Sequence, residues 1–146
     1  MTYILSNIRC SRTIPNLVAD NDELVFLNMA TNWELYRDVP CLKYLYCRSK
    51  DHTNEYFTRN EWKGKELQWF NSFKVLEWNG DFHYTEGKEP TTGFWVWRLL
   101  KEQGKDVVLV NFHPNKDCGT LRWEGHDWLW ESETYEREKP EMLDLR

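Results

Sequence analysis

The stretch from Pro90 to Phe112 constrains this chain more than any other. It reads Pro-Thr-Thr-Gly, then a run rich in apolar side chains from Phe94 to Gln103, then Gly104, then Asp-Val-Val-Leu-Val-Asn-Phe. Thr ahead of an apolar run is a helix-start signal, because its hydroxyl can accept from an otherwise unpaired backbone N–H. Gly104 stands where a glycine ends a helix in the left-handed conformation. Asp106 to Phe112 is β-branched and nearly continuous in apolar residues, as strands buried on both faces are. Helix, glycine cap and buried strand make the second half of a βαβ unit, and such a unit requires a parallel sheet.

The rest of the chain supplies further strands. Tyr3 to Ser6 is a short apolar run that ends in a polar loop, Asn7 to Ser11. Glu23 to Met29 is a second buried strand, and Cys41 to Cys47 a third. Thr13 to Ala19, with Pro15 near its start, predicts a short helix. Asp51 to Asn60 reads as a loop or the start of a helix, and Glu61 to Phe70 as a helix. Phe73 to Glu77 reads as a strand, with Phe82-His83-Tyr84 pairing across the Asn79-Gly80-Asp81 turn. Glu124 to Glu136 predicts a last helix starting near Gly125. The acidic stretch from Glu131 to Asp144 reads as a solvated helix face or a frayed end. The expected class is α/β and Rossmann-like: one domain over residues 1–146, with a mainly parallel sheet and flanking helices.

Composition narrows the function classes. A length of 146 residues with 40% hydrophobic content suffices for one core. The net charge of -5 and the lack of any basic run argue against nucleic acid as a partner. No window approaches the roughly 20 apolar residues of a membrane span, and the start of the chain lacks the pattern of a signal peptide. The expected compartment is the cytoplasm, with Cys10, Cys41, Cys47 and Cys118 reduced. None of the four forms a CxxC pair. Nine Trp residues suit both a core and a ring-binding cleft, and most of the aromatic residues are expected in the core.

In an open parallel sheet, ligands bind beyond the carboxyl ends of the strands. The polar residues expected there are Asn7, Asn28, Thr91, Thr92 with Gly93, and His113. His126 and Glu131 follow on the last helix. A helix N-terminus offers unpaired N–H groups and partial positive charge, so the Thr91-Thr92-Gly93 turn suits an anion or serves as an ordinary cap. Asn28 interrupts an apolar strand, where its amide must find partners in a ligand or in a turn. His126 is either a half-buried surface residue or a base.

The order of these residues resembles the sialyltransferases of glycosyltransferase family 29. Ile4-Leu5-Ser6-Asn7 resembles the family's first strand and the Asn-bearing loop beyond it. Asp22 to Asn28 resembles the end of the large sialylmotif. Pro90-Thr91-Thr92-Gly93 through Phe112 resembles the small one. His126-Asp127-Trp128-Leu129-Trp130-Glu131 resembles the last motif, a His and a Glu with four residues between. The chain departs from the family at Leu27, where Arg is usual, and at Ser6 and Asn111, where Gly is usual.

The resemblance implies an inverting, metal-independent transfer of a sialic-acid-like sugar from a CMP-activated donor to a glycan or other hydroxyl acceptor. No Asp-x-Asp metal motif is apparent, and no cofactor is expected beyond the donor itself. His126 would be the general base, with Glu131 orienting it or stabilising its helix and His113 in reserve. Asn7, Asn28, Thr91, Thr92 and Gly93 would hold the donor. Two other readings compete: a non-catalytic binder of a nucleotide or nucleotide-derived molecule, and a protein-interaction module anchored by exposed Trp.

Overall fold

A computed structural model describes residues 1–58, 68–79, 84–112 and 125–146. The strands β1 (Thr2–Leu5), β2 (Glu23–Leu27), β3 (Leu42–Cys47), β4 (Ser72–Val75), β5 (Val107–Val110) and β6 (Glu141–Leu143) form one six-stranded sheet. Its order is β4-β3-β2-β1-β5-β6, and every pair is parallel. Among the described residues the helices are α1 (Lys50–Thr58), α2 (Thr92–Glu102) and α3 (Trp128–Glu138), with a 3-10 turn at Trp33–Tyr36. The protein is therefore an α/β domain of Rossmann-like topology. The three strands read as most buried, β2, β1 and β5, lie side by side at its centre.

Side chains alternate between the two faces of the sheet, as the strand period of two dictates. Ile4, Val25, Leu27, Tyr46 and Leu109 point to one face, where Phe94, Val96, Trp97 and Leu100 of α2 and Tyr135 of α3 cover them. Leu5, Leu24, Phe26, Leu45, Cys47 and Val110 point to the other, under Ile14, Tyr36 and Leu145. Helix α2 forms where its start and stop signals put it. Thr91 is the N-cap, accepting from Phe94 N at 3.3 Å. Gly104 follows the helix with φ +77° and donates to the Lys101 carbonyl at 3.0 Å.

Of the two readings of Asp51 to Asn60, the start of a helix holds, as α1 spans Lys50–Thr58. Two expectations need correction. Thr13–Ala19 is not a helix but a series of turns, because Asn16 adopts φ 59° and reverses the chain directly after Pro15. The acidic end is not frayed: α3 stops at Lys139 in the left-handed conformation ahead of Pro140, and β6 then adds an edge strand beside β5. The helix expected over 61–70 and the pairing expected of Phe82 and His83 lie largely outside the described residues. Cys10, Cys41 and Cys47 are free thiols, as expected, and Cys118 lies outside the described residues. Among the described residues, no helix is long and apolar enough to cross a membrane.

Asn111 ties the C-terminal segment to the centre of the sheet. It follows β5 with φ 58° and is 1% exposed. Its Oδ1 accepts from Leu145 N at 2.7 Å, and its Nδ2 donates to the Ile8 carbonyl at 3.2 Å. Replacement by Ala strands both backbone partners and puts in the left-handed region a residue that tolerates it less well than Asn. We expect Asn111→Ala to cost about 2–4 kcal/mol. Asn111→Gly loses the same bonds without the backbone strain, so it should be milder than Ala by roughly 1 kcal/mol. Urea unfolding of the three proteins checks the order; equal stability of the Ala and Gly variants would contradict it.

Candidate functional site

The chain leaves β1 toward β2, β3 and β4 on one side, then returns to place β5 and β6 on the other. The loops after β1 and β5 therefore diverge, and a crevice opens between them at the carboxyl edge. A cavity of about 470 Å³ occupies this position. Its walls include Asn7, Asn28, Thr91, Thr92, Gly93, Asn111, His126 and Glu131. The structure thus gathers every described residue singled out from the sequence; His113 lies outside the described residues. A second cavity of about 640 Å³ opens on the β3 side. Asn28, Thr92 and His126 border both.

Glu131 fixes the Thr91-Thr92-Gly93 turn from below. It is 3% exposed, and its carboxylate accepts from Thr91 N at 2.9 Å, Thr91 Oγ1 at 2.6 Å and Tyr84 Oη at 2.6 Å. Burial pushes its pKa above the ordinary carboxylate value, against the pull of these three donors. Glu131 is also in the first turn of α3, so it stands at the positive ends of two helices. Its contacts make it a positioning residue for the turn. Thr91 N is satisfied by Glu131 and Phe94 N by Thr91 Oγ1, whereas the N–H groups of Thr92 and Gly93 have no acceptor among the described residues.

Gly93 is required by space. A Cβ there would stand 2.5 and 2.8 Å from ring atoms of Phe112 and 3.3 Å from Leu27 Cδ1. The absence of a side chain lets the start of α2 approach the ends of β2 and β5.

Asn28 has φ 47° at the end of β2. Its Nδ2 donates to Thr92 Oγ1 at 3.1 Å, and its Oδ1 accepts from Arg48 N at 3.1 Å. It is a bracket between β2, β3 and the start of α2. Asn7 accepts from Thr31 N at 3.2 Å through Oδ1. Asn32, which the sequence reading missed, shapes the same loop: Oδ1 accepts from Cys10 N, and Nδ2 donates to the Ser6 and Ile8 carbonyls.

His126 Nδ1 lies 2.5 Å from the Glu89 carbonyl oxygen. A carbonyl only accepts, so in the neutral ring Nδ1 carries the proton and Nε2 the basic lone pair. Burial lowers the imidazole below its ordinary pKa of 6.5; the Glu89 carbonyl opposes this and the nearby Arg48 charge adds to it.

Arg48 was also missed, although it directly follows β3 and so obeys the strand-end rule that found Asn7 and Asn28. It is 8% exposed, pairs with Glu89 at 2.9 Å and lies 4.6 Å from the centre of the Trp95 ring. Among the described residues no group of His, Cys, Asp and Glu side chains is arranged to hold a metal ion. Comparison of the chain with protein-family models, curated proteins and solved structures found no match.

The His126 environment has a measurable consequence. A folded pKa below the unfolded 6.5 means that the neutral ring contributes stability above pH 6.5, lost as pH falls through the folded value. A proton NMR titration should therefore place the His126 midpoint below 6.5. A midpoint above 6.5 would contradict the burial argument.

Proposed function

We propose that the chain is an inverting glycosyltransferase of sialyltransferase-like kind, moving a sialic-acid-like sugar from a CMP-activated donor to a hydroxyl acceptor. The observation that carries this reading is the position of His126 on the border of both cavities, with its Nδ1 occupied by the Glu89 carbonyl. A base at such a border can meet two substrates at once.

In this reading the nucleotide occupies the crevice between β1 and β5, with its phosphate toward the N–H groups of Thr92 and Gly93. The acceptor enters from the β3 side. Its hydroxyl oxygen attacks the anomeric carbon while its proton passes to His126 Nε2. The bond from that carbon to the phosphate oxygen breaks, and the electron pair leaves with CMP. The lowered pKa of His126 keeps the ring neutral at pH 7, as a base requires. Glu131 acts through Thr91 by holding the start of α2 in place.

A second reading, a nucleotide binder without transfer, is favoured by Asn28. Both ends of its amide already serve Thr92 and Arg48, which leaves it fewer bonds to give a donor. The interaction-module reading gains little, since among the described residues no Trp is exposed.

The test is turnover of a CMP-sugar by the parent and by His126→Ala. We expect the variant to lose at least ~10²-fold in transfer, as general-base catalysis contributes about 10²–10⁴. CMP affinity and the melting temperature should stay near those of the parent. Full activity in the variant would put the base elsewhere. CMP binding without turnover in either protein would select the second reading.

A further inference from the structure

Two residues on the wall of the larger cavity each carry an unmet donor. Among the described residues only two buried side-chain polar atoms lack a hydrogen-bond partner, Arg48 Nη1 and Trp78 Nε1. Both residues line the same 640 Å³ cavity. Neither group can accept a hydrogen bond, so no rotation lets them satisfy each other. A buried donor left unpaired is costly, and more so when it belongs to a cation. Two such residues on one cavity wall favour a ligand that brings acceptor oxygens.

The charges decide which acceptor. Among the described residues Arg48 has one counter-charge, Glu89, bound through Nη2 and with its side chain 45% exposed. The start of α2 adds its partial positive charge at Thr92, on the same wall. Glu77, the other carboxylate of the cavity, is exposed at the rim. A neutral hydroxyl would leave the buried guanidinium with a single, partly solvated partner. An oxyanion can displace Glu89 into solvent and take both Nη2 and Nη1 in the two-pronged manner that guanidinium favours.

The geometry points to an oxyanion subsite on the inner wall of this cavity, with Arg48 and Trp78 as its donors and a phosphate or carboxylate group as its occupant. The inference stands on the two unmet donors and is independent of whether CMP binds in the neighbouring crevice.

The indole N–H of Trp78 gives a direct readout in a proton–nitrogen correlation spectrum, assigned by its disappearance in Trp78→Phe. The full chain is titrated separately with inorganic phosphate, acetate, glucose and sodium chloride, at matched ionic strength where salts are compared. We expect the Trp78 signal to shift saturably with phosphate or acetate, but with neither glucose nor chloride. Which of the two acts tells whether the natural group is a phosphate or a carboxylate. Arg48→Gln should weaken this binding at least ~10-fold, as loss of a charge-assisted pair requires. Glu89→Gln should strengthen it, because the competing carboxylate is gone. If Arg48→Gln does not fold, the parent and Glu89→Gln titrations decide. An indole signal that no anion moves, that glucose moves equally, or that responds unchanged in Arg48→Gln would overturn the subsite. An ordered water would then be the partner of these donors.

Discussion

The carboxylate of Glu131 holds the functional edge of this protein together. Burying a carboxylate costs several kcal/mol unless donors replace its water. Here Thr91 supplies two and Tyr84 a third. The result is that α3 grips the N-cap of α2, and the first residues of α2, Thr92 and Gly93, line the crevice. The aromatic packing around this joint follows the same geometry. Phe94 and Trp97 of α2 meet Tyr135 of α3 at 5.6 and 5.0 Å between ring centres. Arg98 and Lys101 of α2 converge on Glu138 at the far end of α3. The two helices therefore form one rigid clamp on a single face of the sheet.

Asparagines set the other side of the crevice. Asn28 and Asn111 both follow a central strand and both adopt positive φ, a conformation that Asn tolerates better than most residues. Each turns the chain sharply at the carboxyl edge and then uses its amide to bind a neighbouring segment. Asn28 fastens β3 and α2, while Asn111 fastens the β1 loop and the C-terminus. Gly and Asn are the residues best suited to this conformation, and Asn adds the staple.

Much of this was legible in the residues. The signals for β1, β2, β3, β5 and α2 are local: buried apolar runs, a Thr cap and a Gly stop. The positions of Asn7, Asn28, Thr92 and His126 at one edge follow from strand ends in a parallel sheet. What the sequence hid depends on tertiary pairing. Glu141-Met142-Leu143 is too short and too polar at its start to announce a strand; it pairs because β5 offers an open edge. The helix expected at Thr13–Ala19 failed because Asn16 turns left-handed after Pro15. Glu131 read as an orienter of His126, a helix-stabilising charge or part of a solvated acidic face, and its burial against Thr91 emerges only when α3 docks on α2. The unmet donors of Arg48 and Trp78 arise from chain segments that meet only in the folded cavity.

The proposed transfer divides the carboxyl edge in two: the crevice between β1 and β5 for the nucleotide, the second cavity beside β3 for the acceptor, and His126 on the border of both. A crystal structure of the protein soaked with CMP tests that division most directly. The account predicts nucleotide density in the crevice, with the phosphate against the Thr92 and Gly93 amides and His126 at its edge. Crystals that take up no CMP, or that bind it away from the carboxyl edge of the sheet, would contradict it.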